Sequence, residues 1–536
     1  MGTSDCAKNF MTPCREACPA GVNVPRYIRF IREGRFDEAL AVIRESIPFP
    51  AVCGHACVHP CEGKCARAQY DEPVAIRMLK RAAEENANGS WQQNTKTASP
   101  TVKKVAIIGS GPCGLTAAYY LAGLGHKVTV YEAMPAAGGM LRYGIPEYRL
   151  PNQVVDREIA AIAERGVEIK TGSPVNSAES LLGRYEAVFV ATGAWFGSKI
   201  GAEDPGAVVL DGISFLRNVN AGSSVNIGKK VVVAGGGNTA IDAARASVRL
   251  GAEEVVLVYR RTRAEMPADP EEVKDALEEG VQMEFLASPV KIEAGKISCV
   301  KMKLGAKDSS GRPRPVPVEG SQFDMECDTV IAAVGQQADA SSLGLPANAN
   351  GTVIVADGYA TGINGIFAAG DAITGPSSII RAIAQGKEAA AAIDKHLGGG
   401  GCLCETLTEG EAVPGSASPM GYSRLEANTL DLGERLRTFN LVEKGYNKHV
   451  AVREAKRCLN CDVNQYRVEV DFNGCKACGY CKEVCGMGIF NKSQSFNDRG
   501  YQPMEVTGSD RCVGCRKCFF ICPDFSISIA KVGGAE

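Results

Sequence analysis

The spacing of hydrophobic positions changes several times along the chain. Over residues 1–83 apolar residues recur at helical intervals, as in VPRYIRFIREGRFDEALAVIRES, between groups of close-spaced cysteines. The polar stretch EENANGSWQQNTKTASPTVKK that follows has no such period and reads as a linker. From Lys103 to about His396, short Val/Ile runs (VAIIG, VTVYE, VVVAG, VVLVY) alternate with Ala-rich helical stretches. That alternation predicts an α/β fold built on parallel sheet. GGGGCLCETLTEGEAVPGSASPM has the composition of a flexible linker. Residues 431–465 return to a helical pattern with VREAKRC on the last turn, and the remainder is short and dense in cysteine.

Two strand–turn–helix units about 126 residues apart carry glycine-rich turns. In KKVAIIGSGPCGLTAAYYLAGLGHKVTVYEA, Gly109, Gly111 and Gly114 form G-x-G-x-x-G at the start of a helix, and Glu132 closes the second strand. Glycines there permit a tight turn and close backbone approach to a pyrophosphate at the helix N-terminus, while the acid accepts from an adenosine ribose. The second unit has Gly235, Gly237 and Ala240 with Asn238 and Thr239 in the turn, and its second strand ends in Arg260 and Arg261. Arginines in place of the acid suit a ribose 2′-phosphate, so this unit is expected to take NADP(H), with NAD(H) left open.

Further downstream, GINGIFAAGDA sets Gly370 and Asp371 after a strand and before the helical stretch SSIIRAIAQGKEAAAAID. This resembles the second flavin signature of two-dinucleotide-binding flavoproteins, in which such an Asp binds the ribityl chain; it could equally cap the helix. The ATG containing Thr192 and Gly193, and GGMLRYGIPEYRLP with Gly139 and Arg142, resemble the same superfamily. The resemblance implies FAD in the first unit. No C-x₂-C or C-x₄-C pair lies between residues 104 and 397, and Cys113 stands alone as a small packing residue. A disulfide-reductase activity is therefore disfavoured, and electrons on the flavin must leave by another route.

Composition narrows the class. The apolar share of 45% and charged share of 22% are those of a soluble globular protein. A net charge of −2 without a basic, aromatic-interleaved stripe argues against nucleic acid, and no apolar run is long enough to span a bilayer. The start MGTSDCAKNF shows no signal pattern, so a cytoplasmic protein is expected. The 22 cysteines are the exception to this average picture: 16 of them fall in groups before residue 66 or after residue 457. Such grouping in a large chain suggests metal or redox chemistry in place of a disulfide scaffold.

After residue 470, Cys475, Cys478, Cys481 and Cys485 form C-x₂-C-x₂-C-x₃-C, and Cys512, Cys515, Cys518 and Cys522 repeat it, followed by Pro523. In such double runs the fourth cysteine of each serves the other 4Fe–4S cluster, giving the sets Cys475, Cys478, Cys481, Cys522 and Cys512, Cys515, Cys518, Cys485. Gly486 stands where the first run would have proline. Near the N-terminus, Cys14, Cys18, Cys53, Cys57, Cys61 and Cys65 are six, and Cys458 with Cys461 in RCLNC brings the count to eight.

PCREACP, CGHACVHPCEGKC, GSGPCGL, GGMLRYGIPEYRLP, GGGNTAIDAARASVRLGA, YRRTRAEMP and IFAAGD together resemble the glutamate synthase small-subunit family and the related N-terminal part of dihydropyrimidine dehydrogenase. The resemblance implies a helical two-cluster domain, an FAD domain and an inserted NADPH domain. It also implies that Cys458, Cys461, Cys14 and Cys65 share one cluster. Cys18, Cys57 and Cys61 would share the other, with Cys53 as the chosen fourth ligand beside a possible non-cysteine one. A separate zinc site of Cys458, Cys461, Cys402 and Cys404 is the competing reading. His55 and His59 could tune a cluster or simply lie at the surface.

The expected fold is multidomain α/β, with a helical iron–sulfur domain over 1–95 and an FAD domain over 101–215 and 336–397. A Rossmann-like NAD(P)H domain spans 216–335 and a linker 398–430. A helical segment, 431–465, completes the N-terminal cluster domain, and a two-cluster ferredoxin domain of the bacterial type occupies 466–536. The expected function is transfer of electrons between NADP(H), FAD and four 4Fe–4S clusters, to or from a partner enzyme. No residue acts as an acid or base, because the chemistry is hydride and electron transfer between bound cofactors. The C-terminal module resembles the ferredoxin-type subunit of 2-oxoacid:ferredoxin oxidoreductases, which suggests such a partner. A free NADPH:ferredoxin oxidoreductase, using soluble ferredoxin, and an electron-bifurcating transhydrogenase subunit are the alternatives.

Overall fold

The computed structural model describes residues 12–200, 202–308, 311–413, 423–463 and 466–532. The expectation for the start MGTSDCAKNF, Cys6, and residues 414–422 of the expected linker lie outside these.

The N-terminal part is a cluster of four helices, Val24–Arg32, Phe36–Arg44, Pro50–Ala56 and Ile76–Asn86. Asn23 caps the first by accepting from the Arg26 N–H, and Pro25 sits in its first turn, where its missing donor costs nothing. The residues that recur at helical spacing, among them Tyr27, Phe30, Ile31, Val42, Ile43, Val52 and Leu79, are fully buried. Each stretch read as a linker carries a buried anchor among its described residues. Trp91 and Leu407 are buried together against Leu40 and Ala41, and the Arg44 guanidinium lies 4.1 Å over the Trp91 ring. Arg26 donates to the Thr408 carbonyl at 2.7 Å, and the Leu407 N–H donates to Glu45 at 3.0 Å. One large apolar residue in each polar stretch fixes it at that point, which average composition conceals.

The first α/β unit is a five-stranded parallel sheet in the order Ile366–Ala368, Ala187–Val190, Lys104–Ile108, Lys127–Tyr131, Glu168–Lys170. The second has the order Gln282–Phe285, Glu254–Tyr259, Lys230–Ala234, Thr329–Ala332, Val209–Asp211, again parallel. Val209–Asp211 lies upstream of residue 216, so this sheet takes in a strand that the expected boundary assigned to the flavin domain. Sequence reading also missed an antiparallel sheet of Ala287–Glu293, Lys296–Lys307 and Pro313–Glu326, with Ala202–Glu203 at its edge. Its strands alternate apolar and polar residues because one face is solvated.

Among the described residues of 431–465, helix is confined to Leu432–Arg435 and Lys448–Ala455. Between them Glu443 bridges back to Thr429, and Asn447 caps the second helix by accepting from Val450. RCLNC follows that helix as a turn and does not lie on it. The final part pairs Tyr466–Val470 with Ile527–Lys531 and Phe490–Lys492 with Met504–Val506, both antiparallel, around two short helices, Tyr480–Val484 and Lys517–Ile521. No helix among the described residues is long and apolar enough to cross a membrane.

Candidate functional site

A cavity of about 850 Å³ runs from the second glycine turn to Pro112, the residue that follows Gly111 of the first. Pro112, Met140, Asp371 and Ser377 line one side, and Gly235, Gly237, Asn238, Thr239, Arg260 and Arg261 the other. Each turn is held closed by contacts only glycine permits. A Cβ on Gly109, whose φ is +105°, would lie 2.5 Å from the Ala191 carbonyl oxygen, and one on Gly235 would lie 2.3 Å from that of Ala333. Gly111 and Gly237, by contrast, present their missing side chains to open space. That arrangement leaves room for a diphosphate beside the N-termini of the helices Pro112–Gly123 and Asn238–Arg249, and the residues present fit two dinucleotides.

Around the first turn, Gly114 packs on the Gly109 carbonyl and Gly139 on Gly111. Glu132 is buried and accepts from the Ser110 and Met134 N–H groups at 3.0 and 2.8 Å, which fixes its carboxylate at the end of its strand. Arg142 donates to the Ala137 carbonyl at 2.8 Å and is bonded to Asp156. The Thr192 carbonyl accepts from Trp195, next to Gly193. The Gly370 N–H donates to Gln385, and Asp371 accepts from Ser377 at 2.8 Å; burial pushes the Asp371 carboxyl up. In the second turn Ala240 is buried against Gly235, Asn238 accepts from the Asp269 N–H, and Thr239 accepts from Gln336. The two arginines part company. Arg261 is buried, and its guanidinium donates to the Pro313 carbonyl and to Asp308, whereas Arg260 is exposed at the cavity. Arg312, on the antiparallel hairpin, also lines the cavity; no motif marks it.

The cysteines collect into four sets. Cys14, Cys65, Cys458 and Cys461 line one pocket, closed by Ile28, Val74 and Leu459. Cys18, Cys53, Cys57 and Cys61 surround the buried ammonium of Lys80. Burial opposes the Lys80 charge, but these four sulfurs, as thiolates, outweigh it and hold its pKa above the usual lysine value. Cys475, Cys478, Cys481 and Cys522 line a third pocket with Met504 and Ile527. Cys485, Cys512, Cys515 and Cys518 act on one another as the fourth set. Burial pushes Cys14, Cys458 and Cys518 up to about 12 and Cys481 and Cys512 to about 11. As free thiols these five would stay protonated, and they become thiolates only beside a compensating cation of the kind a 4Fe–4S core supplies.

The backbone agrees with that donor chemistry. Asn460, Ala477 and Arg516 sit inside C-x₂-C loops at φ between +48° and +59°, a left-handed conformation that costs a non-glycine residue about 1–2 kcal/mol. Such strain persists where the surroundings demand it. The left-handed loop turns peptide N–H groups onto sulfur: Ala477 donates to Cys475 at 3.4 Å and Gly514 to Cys512 at 3.4 Å. Ser526 donates to Cys522 at 3.3 Å. Neither histidine bonds a sulfur. His55 is buried against the Ala51 carbonyl, with a pKa lowered to about 3 by burial and then by Arg81, and His59 pairs with the Cys57 carbonyl.

The sets are arranged in sequence through space. Ala56 and Val58, on either side of Cys57, line the dinucleotide cavity. Tyr27, fully buried, lies between Cys18 and Cys61 of one set and Cys14 of the next. Ala66, beside Cys65, packs on Leu459 and on Val513, beside Cys512.

Residues 103–386 match the family described as pyridine nucleotide-disulphide oxidoreductase. Residues 2–91 match the dihydropyrimidine dehydrogenase domain II, 4Fe-4S cluster, and residues 474–525 match the 4Fe-4S dicluster domain. The chain is 42% identical over 509 residues to the NADP(+)-dependent formate dehydrogenase subunit beta of Moorella thermoacetica, covering 86% of this chain and 71% of that one. It is 40% identical over 522 residues to the NADPH-Fe(3+) oxidoreductase subunit beta of Geobacter sulfurreducens, with 86% and 76% covered. To the glutamate synthase [NADPH] small chain of Escherichia coli it is 34% identical over 416 residues, covering 72% of this chain and 88% of that one. The resemblance drawn from the motifs is thus borne out along the chain, and the protein belongs to the pyridine nucleotide-disulphide oxidoreductase family, with 4Fe–4S domains at both ends of its flavin and nicotinamide domains.

Proposed function

We propose that the protein is the nicotinamide-facing subunit of an oxidoreductase complex, moving electrons between NADP(H) and a partner enzyme through FAD and four 4Fe–4S clusters. The observation that carries this reading is the line of sites just described, from a cavity lined by residues of both dinucleotide units, past Ala56 and Val58 that flank Cys57, to the C-terminal module. When bound, FAD and NADP(H) supply hydride transfer, and the clusters accept electrons singly. The chain's own residues do the rest. Gly111 and Gly237 let two diphosphates approach the backbone, and Glu132 and Asp371 orient the flavin's adenosine and ribityl ends. Ala56 and Val58 on the cavity wall hold Cys57 just behind it. Arg260 and Arg312 hold the 2′-phosphate, and Arg261 braces the hairpin that carries Arg312.

The partner is read as a separate subunit, because two relatives that match most of the chain are named as beta subunits. One belongs to a formate dehydrogenase and the other to an Fe(3+) oxidoreductase, so a low-potential donor such as formate joins the 2-oxoacid oxidoreductase as a candidate. Anaerobic purification from the native cells tests the reading. About sixteen iron atoms per FAD, flavin bleaching by NADPH and a co-purifying catalytic subunit are expected. An iron count near eight, or a flavin that NADPH leaves oxidised, overturns it.

Coenzyme choice has its own test. Arg260→Ala removes a charged hydrogen bond to the phosphate, a loss of about 1.5–3 kcal/mol. It should lower kcat/KM for NADPH roughly 10- to 100-fold and leave that for NADH nearly unchanged. Equal losses with both coenzymes would assign Arg260 another role.

A further inference from the structure

The C-terminal module makes a specific contact with the N-terminal helices. Ala66, Leu459 and Val513 form a small apolar cluster, joined by Tyr70, Cys461, Met487 and Cys515. The Tyr70 hydroxyl donates to the Val513 carbonyl at 2.9 Å, and the Lys517 ammonium donates to the Gln69 amide oxygen at 3.2 Å. Each contact links the pocket of Cys14, Cys65, Cys458 and Cys461 to the set of Cys485, Cys512, Cys515 and Cys518. Ala66 follows Cys65, Leu459 follows Cys458, Val513 follows Cys512 and Lys517 precedes Cys518. Leu459 and Val513 are 6% and 7% exposed, so these two side chains are shielded from water where the sets meet.

Gly486 lies at the rim of the same contact. Runs of this kind place proline after the fourth cysteine, as Pro523 does in the second run. In the first run a Cβ at that position would sit 2.6 Å from Nε2 and 2.7 Å from Cδ of Gln69. The one departure of this module from the usual pattern therefore occurs where the N-terminal domain meets it.

We propose that Gln69, Tyr70, Leu459, Val513 and Gly486 form a docking seam that holds these two cysteine sets in fixed contact, so that electrons cross between the nicotinamide-facing part and the ferredoxin-type module without a diffusional step. The proposal rests on the reading that both sets hold 4Fe–4S clusters. One electron crosses at a time, the centre on one side being oxidised as the centre on the other is reduced, with no atom or proton transferred. The seam residues are positioning residues. They keep the two sets close, and electron transfer falls steeply when that geometry is lost.

The test uses the full chain, purified anaerobically, with Tyr70→Ala and Gly486→Leu combined. Turning Gln69 aside cannot accommodate a leucine as it could a methyl group, and the alanine removes both the hydroxyl and the ring. Iron content, FAD content and the rate of flavin bleaching by NADPH should equal those of the parent. In freeze-quenched EPR spectra after NADPH mixing, the signal of half the clusters should then grow about tenfold or more slowly. Small-angle X-ray scattering should show a larger maximum dimension. Tyr70→Phe, which keeps the packing, should fall between the two. Parent-rate reduction of every cluster in the double variant, or unchanged scattering, overturns the seam. Loss of iron also overturns it, since the residues would then serve cluster assembly. If the parent's own clusters stay oxidised under NADPH while its flavin bleaches, the electron-transfer reading fails first and takes the seam with it.

Discussion

Cys458→Ser is expected to remove about four iron atoms per chain from the N-terminal part while FAD stays bound. Cys458 lies far from Cys14 and Cys65 in sequence, yet the three line one pocket with Cys461. Its thiol is buried, which raises its pKa to about 12, and serine offers a neutral hydroxyl of still weaker acidity in the same place. A three-thiolate site with a poor fourth donor does not retain a cubane through purification. The FAD turn shares no residue with this pocket, so flavin and iron should separate cleanly. Iron and flavin assayed on one sample decide the matter. Unchanged iron together with bound zinc in the parent would instead restore the small zinc site with Cys402 and Cys404. Cys65→Ser should reproduce the loss, and Cys113→Ser, which belongs to none of the four sets, should not.

Arg457→Ala should destabilise the same region by about 3–5 kcal/mol. The Arg457 side chain is fully buried, as is Glu454, with which it pairs at 2.8 Å. It also donates to the carbonyls of Glu72 and Pro73 at 2.7 and 3.1 Å and to Asp71 at 3.0 Å. Glu454 accepts in turn from the Ala75 and Leu425 N–H groups. Truncating the arginine leaves a buried carboxylate and two carbonyls without their cation, the costly way to break a buried pair. The consequence is local. The segment carrying Cys458 and Cys461 loses its anchor to the loop before helix Ile76–Asn86. Hydrogen exchange reads it directly, and protection of the Ala75 amide should fall by roughly 100-fold or more. Arg467→Ala is the control. Its pair with Glu469 is 72% and 58% exposed, and its loss should cost no more than about 1 kcal/mol. If the two variants behave alike, the anchoring role of Arg457 is wrong.

What the sequence determined by itself was whatever local spacing encodes. Short Val/Ile runs between Ala-rich stretches marked an α/β fold on parallel sheet, because strands buried on both faces read as continuous apolar runs. The glycine turns were legible because only glycine tolerates a carbonyl 2.5 Å from where a Cβ would be, a constraint set within one strand–turn–helix unit and its neighbouring strand. The C-terminal cysteine runs were legible for the same reason: their ligands lie a few residues apart. The tertiary structure decided everything that depends on distant residues meeting. Spacing alone left eight cysteines at the two ends of the chain ungrouped; the family resemblance proposed a grouping, and folding of residues 423–463 onto the N-terminal helices brings those sets together. Trp91 and Leu407 pin down two stretches whose polarity suggested linkers, since a single buried ring contributes on the order of 1.5–3 kcal/mol that composition averages away. Arg260 and Arg261 are equivalent as neighbours in sequence, yet the pleat of the strand end sends one to solvent and the other into the hairpin at Pro313. Gly486 looked like a minor lapse from a pattern until Gln69, more than four hundred residues earlier, was found against it. Local periodicity specifies elements, but burial between elements specifies which side chains share a site, and no window along the chain contains that information.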